Sequence, residues 1–135
     1  MDAVVPTIAE YTLNDLSSSQ NGITLKMDKV EYAEEETRIY LTISNESEDK
    51  FNLYTYSIKL IQDGQQIEQD SSFMSAYEGE YPELPSDILP GATSSGILVF
   101  PSMDYSKGFQ LYAEGSSDNW EVEFQPFIME MNVSQ

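Results

Sequence analysis

The segment "TRIYLTISN", residues 37–45, alternates apolar and polar side chains with a period of two. Successive side chains of an extended strand point to opposite faces. Ile39, Leu41 and Ile43 therefore share an inward face, and Arg38, Tyr40 and Thr42 an outward one. A helix would spread the same apolar residues around its circumference, so the pattern specifies a half-buried strand. It recurs along the chain. Ile23, Leu25 and Met27 alternate, then the phase slips by one residue and Val30 and Tyr32 continue on the other parity. A one-residue slip predicts a β-bulge. "AEEE", residues 33–36, makes the turn of a hairpin with 37–45.

Further strands follow at intervals of about ten residues. Tyr54, Tyr56, Ile58 and Leu60 alternate, which places both tyrosines in the core beside Ile58 and Leu60. Asp63-Gly64 is a hairpin dipeptide that leads into a short return strand, 65–69. "GILVF", residues 96–100, is apolar on both faces. Phe109, Leu111 and Ala113 alternate, then Trp120, Val122 and Phe124, and beyond Pro126 the pattern resumes as Phe127, Met129, Met131 and Val133. Many short strands with turn signals between them, and no helical period, predict an all-β chain folded as an antiparallel sandwich. The short 65–69 strand and the final strand, broken by Pro126, are the candidate sheet edges. The first 21 residues form an N-terminal extension ahead of one domain at 22–135. Ile8, Tyr11, Leu13 and Leu16 fit either a short helical face or an irregular strand, and the pattern leaves their packing open.

A Greek-key sandwich needs a long connection from one sheet to the other, and residues 70–91 supply it. Pro82, Pro85 and Pro90 stiffen this passage and lower the entropy lost on ordering it. Pro90-Gly91 predicts a type II turn, whose third position requires positive φ. Leu84, Ile88 and Leu89 are placed to plug the passage onto the core.

Composition excludes several functions. The 135 residues carry 24 acidic and 6 basic side chains, a formal net charge of −18. Such a surface repels nucleic acid and anionic headgroups. Cysteine and histidine are both absent, which rules out thiolate chemistry, disulfides, a Ser-His-Asp triad and imidazole-bound zinc. No stretch approaches the roughly 20 apolar residues that span a bilayer, so no direct membrane insertion is expected. Met1 to Val5 lacks the basic and apolar regions of a signal peptide.

Acidic turns are the candidate metal ligands, because calcium takes six to eight oxygens from carboxylates, carbonyls and water. Glu34, Glu35 and Glu36 lie in one turn, and Glu46, Glu48 and Asp49 in another. Neither matches an EF-hand loop. A solvated acidic surface is the plainer reading of both, and no cofactor other than calcium is in prospect. Asn45-Glu46-Ser47 and Asn132-Val133-Ser134 match the N-glycosylation pattern, which arises often by chance. Tyr40, on the outward face of its strand, and Tyr81 and Leu84 in the crossover are the candidate interaction residues.

Three passages occur in a telling order: "NGITLKMDKVEYAEEETRIYLTISNES", then "YPELPSDILPG" with "GILVFP", then "FQLYAEGSSDNWEVEFQPF". The set resembles a telokin-like, immunoglobulin-type domain family of unknown function, found in lipoproteins and membrane-anchored surface proteins of Gram-positive bacteria. The resemblance covers roughly residues 20–133 and leaves the N-terminal segment outside. It implies an immunoglobulin-like β-sandwich with a Greek-key crossover. It also implies an extracellular location, held to the membrane through a segment outside these 135 residues. No catalytic residues come with it. The expected function is a non-catalytic binding or interaction domain of a bacterial cell-surface (lipo)protein, its partner a protein or a cell-envelope component. A calcium-dependent adhesion or sensing domain, and a purely structural spacer, are the alternatives.

Overall fold

The structure, a computed structural model, describes residues 7–13, 16–34, 36–69 and 84–133. Strands β1 (Thr7–Thr12) and β2 (Ser17–Gln20) both run antiparallel to β3 (Ile23–Ala33), β1 along its second half and β2 along its first. Backbone bonds from Leu13 N–H to the Asp28 carbonyl and from Met27 N–H to the Leu16 carbonyl flank the gap between them. The open question about the N-terminal segment is thereby answered: residues 7–12 and 17–20 pair as strand on the flank of β3. Asn21 and Gly22, with φ of 48° and 85°, form the β2–β3 hairpin. Two positive φ values mark the type I′ turn whose twist matches antiparallel strands.

β3 pairs with β4 (Glu36–Asn45) through a register that shifts between Met27 and Lys29, which is the bulge expected from the slipped alternation. β4 starts one residue earlier than the sequence pattern placed it. The turn is therefore shorter than 33–36, and Glu36 is a strand residue.

The chain then crosses to a second layer. It contains β5 (Phe51–Leu53), a short 3-10 helix (Thr55–Ser57), β6 (Lys59–Gln62), β7 (Gln65–Ile67) and β8 (Asp87–Ile88). β9 (Thr93–Pro101) returns to the first layer beside β4, and β10 (Phe109–Ala113), β11 (Gly115–Ser117) and β12 (Phe127–Met131) complete the second. The first sheet runs β1-β3-β4-β9 with β2 also on β3, the second runs β12-β10-β6-β7, and a small third runs β11-β5-β8. The third continues the second, because Tyr54 N–H bonds the Glu114 carbonyl where β5 leads towards β6 and β10 leads into β11. All these pairings are antiparallel. The excursion from β4 to the second layer and back to β4's side is the Greek-key step of an immunoglobulin-like sandwich. Among the described residues β7 and β12 end the second sheet, as the sequence suggested.

Ile39, Leu41 and Ile43 are fully buried and belong to one apolar cluster with Leu60, Leu111 and Met129 of the other layer. Each such side chain contributes about 1.5–3 kcal/mol by leaving water. Pro90 and Gly91 form the expected type II turn, with Gly91 at φ 84° and Ala92 N–H bonded to the Leu89 carbonyl. Leu84 and Ile88 are buried in the core, but Leu89 on that turn is 60% exposed.

Two strand assignments fail. The 3-10 helix interrupts the alternation at 54–60, so Thr55 turns inward while Tyr54 and Tyr56 face solvent. Residues 120–124 form no strand, and Trp120 is 85% exposed.

Candidate functional site

Two regions concentrate polar chemistry. The first is the outward face of β3 and β4, where the register sets Arg38 opposite Glu31 and Tyr40 opposite Lys29. Arg38 donates from Nε to Glu31 Oε1 at 2.8 Å and from Nη1 to Glu36 Oε2 at 2.5 Å. The Tyr40 hydroxyl donates to Glu31 Oε1 at 2.8 Å, and Lys29 Nζ lies 3.2 Å from Glu31 Oε2 and 4.5 Å from the Tyr40 ring centroid. Burial alone would raise the Glu31 pKa, but the hydrogen bonds from Arg38, Tyr40 and Lys29 outweigh it, and the carboxyl sits below its ordinary value. Two cations and two carboxylates balance here.

This corrects two expectations. Tyr40 is half-buried and engaged, not an open aromatic platform. Arg38 and Glu36 are buried despite their outward parity, and Glu36 is an ion-pair partner and no turn ligand for a metal. Beside Tyr40, an open trough of about 260 Å³ runs past Asp28, Ser95 and Ile97. Asp28 Oδ2 accepts from the Thr42 hydroxyl at 2.6 Å, so the trough's carboxylate is already satisfied in part.

The other sequence candidates separate. Glu35 and Tyr81 lie outside the described residues. Glu34, Glu46 and Glu48 are exposed. Among the described residues no group of three or more carboxylates stands close enough to hold a metal ion. Leu84 is a core side chain, 6% exposed, and offers no surface to a partner. Asn45, of the first glycosylation triplet, is fully buried. Its amide donates to the carbonyls of Asp49 and Ile88, both at 2.9 Å, and its Oδ1 accepts from Ser47 N–H at 2.9 Å and from the Ser47 hydroxyl at 2.6 Å. It holds the β4–β5 turn against the strand that follows the crossover.

That turn borders the second region, at one end of the sandwich. Ile23, Phe51, Val122 and Phe124 supply the apolar lining of a pocket of about 140 Å³. Asn21, Ser47, Asp49 and Ser117 supply its polar lining. The Phe51 and Phe124 rings lie 4.8 Å apart between centroids, inclined at 57°. β11 sets Ser117 opposite Phe51, and the Phe51 ring leans over Gly115, two residues earlier, where a β-carbon would collide with it. The loop after β11 is fastened on all sides. Asn119 N–H bonds Ser117 Oγ, Asn119 Oδ1 accepts from Glu121 N–H, and Val122 N–H bonds the Asn119 carbonyl. Gln20 exchanges two hydrogen bonds with the Gln125 backbone, and the Asn21 amide bonds the Glu123 carbonyl at 2.7 Å. An Asx turn at Asn119 is what lifts Trp120 off the surface. The sequence carried that signal, in "SSDNW", beneath an alternation that read as strand.

No family model matches the chain, and no curated protein matches it. Solved structures do. A functionally unknown protein from Listeria monocytogenes EGD-e superposes with a TM-score of 0.66 at 14% identity, over 97% of this chain and 88% of that one. The yjhA protein from Bacillus subtilis superposes with a TM-score of 0.54 at 14% identity, over 71% of this chain and 75% of that one. At this identity the likeness is one of fold.

Proposed function

We propose that this domain is a non-catalytic, extracellular binding module of a bacterial cell-surface protein, and that it engages its partner with the loop end around Trp120. The observation that carries the reading is an indole 85% exposed on a loop held by hydrogen bonds to β2, β11 and the β4–β5 turn. Folding gains nothing from that exposure. Covering it under a partner would return about 5 kcal/mol, at roughly 25 cal/mol per Å² over an aromatic surface of about 200 Å². Pre-ordering the loop also lowers the entropy lost on binding. The absence of histidine and cysteine and the resemblance to telokin-like surface domains support the same reading.

The test is retention on isolated Gram-positive envelope fractions: sacculi, anionic wall polymer, and membrane vesicles bearing their proteins. Wild type is retained on a fraction and Trp120→Ala, with an unchanged melting temperature, is not. Equal behaviour of the two proteins on every fraction would refute the reading.

A further inference from the structure

We propose that the Phe51–Phe124 pocket receives a single lysine side chain from a cationic protein segment. This rests on the binding reading above and names the partner's chemistry. The pocket's volume is about 140 Å³, close to the roughly 150 Å³ of an engineered cavity that holds benzene. It accommodates the methylene stem and ammonium of one lysine and little more. Its lining is of two kinds. Phe51, Phe124 and Val122 suit the stem, and two aromatic rings attract a cation through their faces. Asp49 supplies a negative charge, and among the described residues one side-chain donor, Asn119 at 3.3 Å, reaches its carboxylate. Asn21 donates its amide to Glu123, which leaves Oδ1 as an acceptor on the same lining.

The chemistry discriminates among occupants. A neutral apolar ligand would take Asp49 out of water without a counter-charge, at a cost of several kcal/mol on the order typical for an unpaired buried ion. An anion would meet that carboxylate directly. A lysine satisfies the carboxylate and the rings together. The surroundings favour the same charge: the loops at 45–50 and 118–123 carry Glu46, Glu48, Asp49, Asp118, Glu121 and Glu123 against Lys50 alone. Lys50 is directed to Asp118, 3.8 Å away, and so is not itself the occupant. Trp120, two residues before Val122, stands on the loop that walls the pocket and is free to cover the peptide on either side of the inserted lysine.

The experiment uses the full chain, isotope-labelled, at about 0.15 M salt, where exposed charges are screened beyond about 8 Å. The probe is the peptide acetyl-Gly-Gly-Lys-Gly-Gly-amide, with two controls: the same peptide acetylated on lysine, and one with arginine in its place. The expected result is a saturable shift of the amide signals of Ser47, Phe51, Ser117 and Phe124 with the lysine peptide. The acetylated control produces none, and the arginine peptide binds more weakly. Asp49→Asn keeps the backbone carbonyl that Asn45 uses and weakens binding about tenfold or more, in line with loss of one close charge pair. Val122→Phe narrows the pocket and abolishes binding without touching a charge. Melting temperatures check that both variants fold. Shifts scattered over the acidic faces and equal in wild type and Asp49→Asn would reduce the effect to net charge and overturn the assignment, as would equal binding of the acetylated peptide or no binding at all. Retention on envelope that depends on Trp120 but ignores Asp49→Asn overturns the lysine pocket and leaves the broader reading standing.

Discussion

Replacing Asn45 with alanine is the sharpest test of how this end of the molecule is held. Asn45 is fully buried, and all four of its side-chain hydrogen-bonding positions are filled within the protein. Its backbone adds two more bonds, N–H to the Ala92 carbonyl and carbonyl from Gly91 N–H. Truncation leaves the backbone bonds in place, removes four side-chain hydrogen bonds and strands one partner. The Asp49 carbonyl keeps a second donor in the Ser47 hydroxyl at 3.0 Å, so its loss is small. The Ile88 carbonyl keeps the Phe51 N–H of the β5–β8 ladder, and Ser47 N–H loses the only partner shown for it. A buried polar group left unpaired costs about 1–3 kcal/mol, and the partly exposed Ser47 recovers some of this from water. The four lost hydrogen bonds, at about 1 kcal/mol each and less the part that water and the remaining donors recover, sum to about 3 kcal/mol. Unfolding entropy near 2.1 cal/mol/K per residue gives about 0.28 kcal/mol/K for a chain of this length, so the melting temperature falls by about 11 °C. Trp120 is already in water and is a poor reporter of unfolding, so the assay is calorimetry or far-ultraviolet circular dichroism with urea. The exposed Asn132→Ala is the control, expected within about 0.5 kcal/mol of wild type. If Asn45→Ala also stays within that margin, with an unchanged urea slope, the idea that this side chain ties the loop end together is wrong.

Other substitutions probe other parts. Tyr32 is buried edge-on to Tyr11 at 5.9 Å, and its hydroxyl has no partner among the described residues; burial, with smaller contributions from Tyr11 and Asp104, raises its pKa well above the usual range. Tyr32→Phe is therefore expected to keep or raise stability, by up to about 1 kcal/mol in urea denaturation, and a clear loss would reveal a hydrogen bond. Arg38→Ala leaves Glu36 buried without its guanidinium and should cost about 3–5 kcal/mol in the same assay. Glu31, with its pKa depressed in the fold, stabilises above the unfolded value of about 4.3 and ceases to do so as pH falls through the lower folded value. The stability gap between wild type and Glu31→Gln should be flat near neutrality and close below about pH 4. Gly115→Ala drives a methyl into the Phe51 ring; a loss of about 1–3 kcal/mol is expected on melting, with the Phe51–Phe124 pocket altered in the amide spectrum.

The alternation was legible wherever a strand is paired and one of its faces meets the other layer. Residues 39–43, 109–113 and 127–131 bury the side chains their parity selects. It misled where pairing is decided elsewhere. Trp120, Val122 and Phe124 have a strand's period, but β5 is already paired on one side by β11 and on the other by β8, and Asn119 turns the chain away from the sheet. Tyr54 and Tyr56 sit where the second layer steps from the small sheet to the larger one, and nothing in "LYTYSI" marks a step that its partner strand makes at Glu114. The pocket was illegible for the same reason: its lining comes from segments 100 residues apart in sequence, joined by bonds such as Asn21 to Glu123.

The bulge shows how one sequence detail reaches both the core and the outward face. Before it, paired residues of β3 and β4 sum to 68, as in Ile23 with Asn45 and Met27 with Leu41; after it they sum to 69, as in Val30 with Ile39 and Glu31 with Arg38. Continued past Met27 with no shift, the first register would set Lys29 opposite Ile39 on the inward face and Val30 opposite Arg38 on the outward one. A lysine would then point into the core, and the buried guanidinium would lose Glu31. The inserted residue keeps Val30 and Tyr32 inside with Ile39 and the rest of the apolar cluster, and it brings Lys29, Glu31, Arg38 and Tyr40 together outside. Deleting Asp28 would remove the bulge itself and leave Met27 opposite Leu41, Lys29 opposite Tyr40, Val30 opposite Ile39 and Glu31 opposite Arg38 in one continuous register, so the core packing and the ion-pair network should both survive. Its cost in urea denaturation should therefore fall below that of Arg38→Ala, which breaks the network outright, and a larger cost would refute the view that the bulge serves only to set the register.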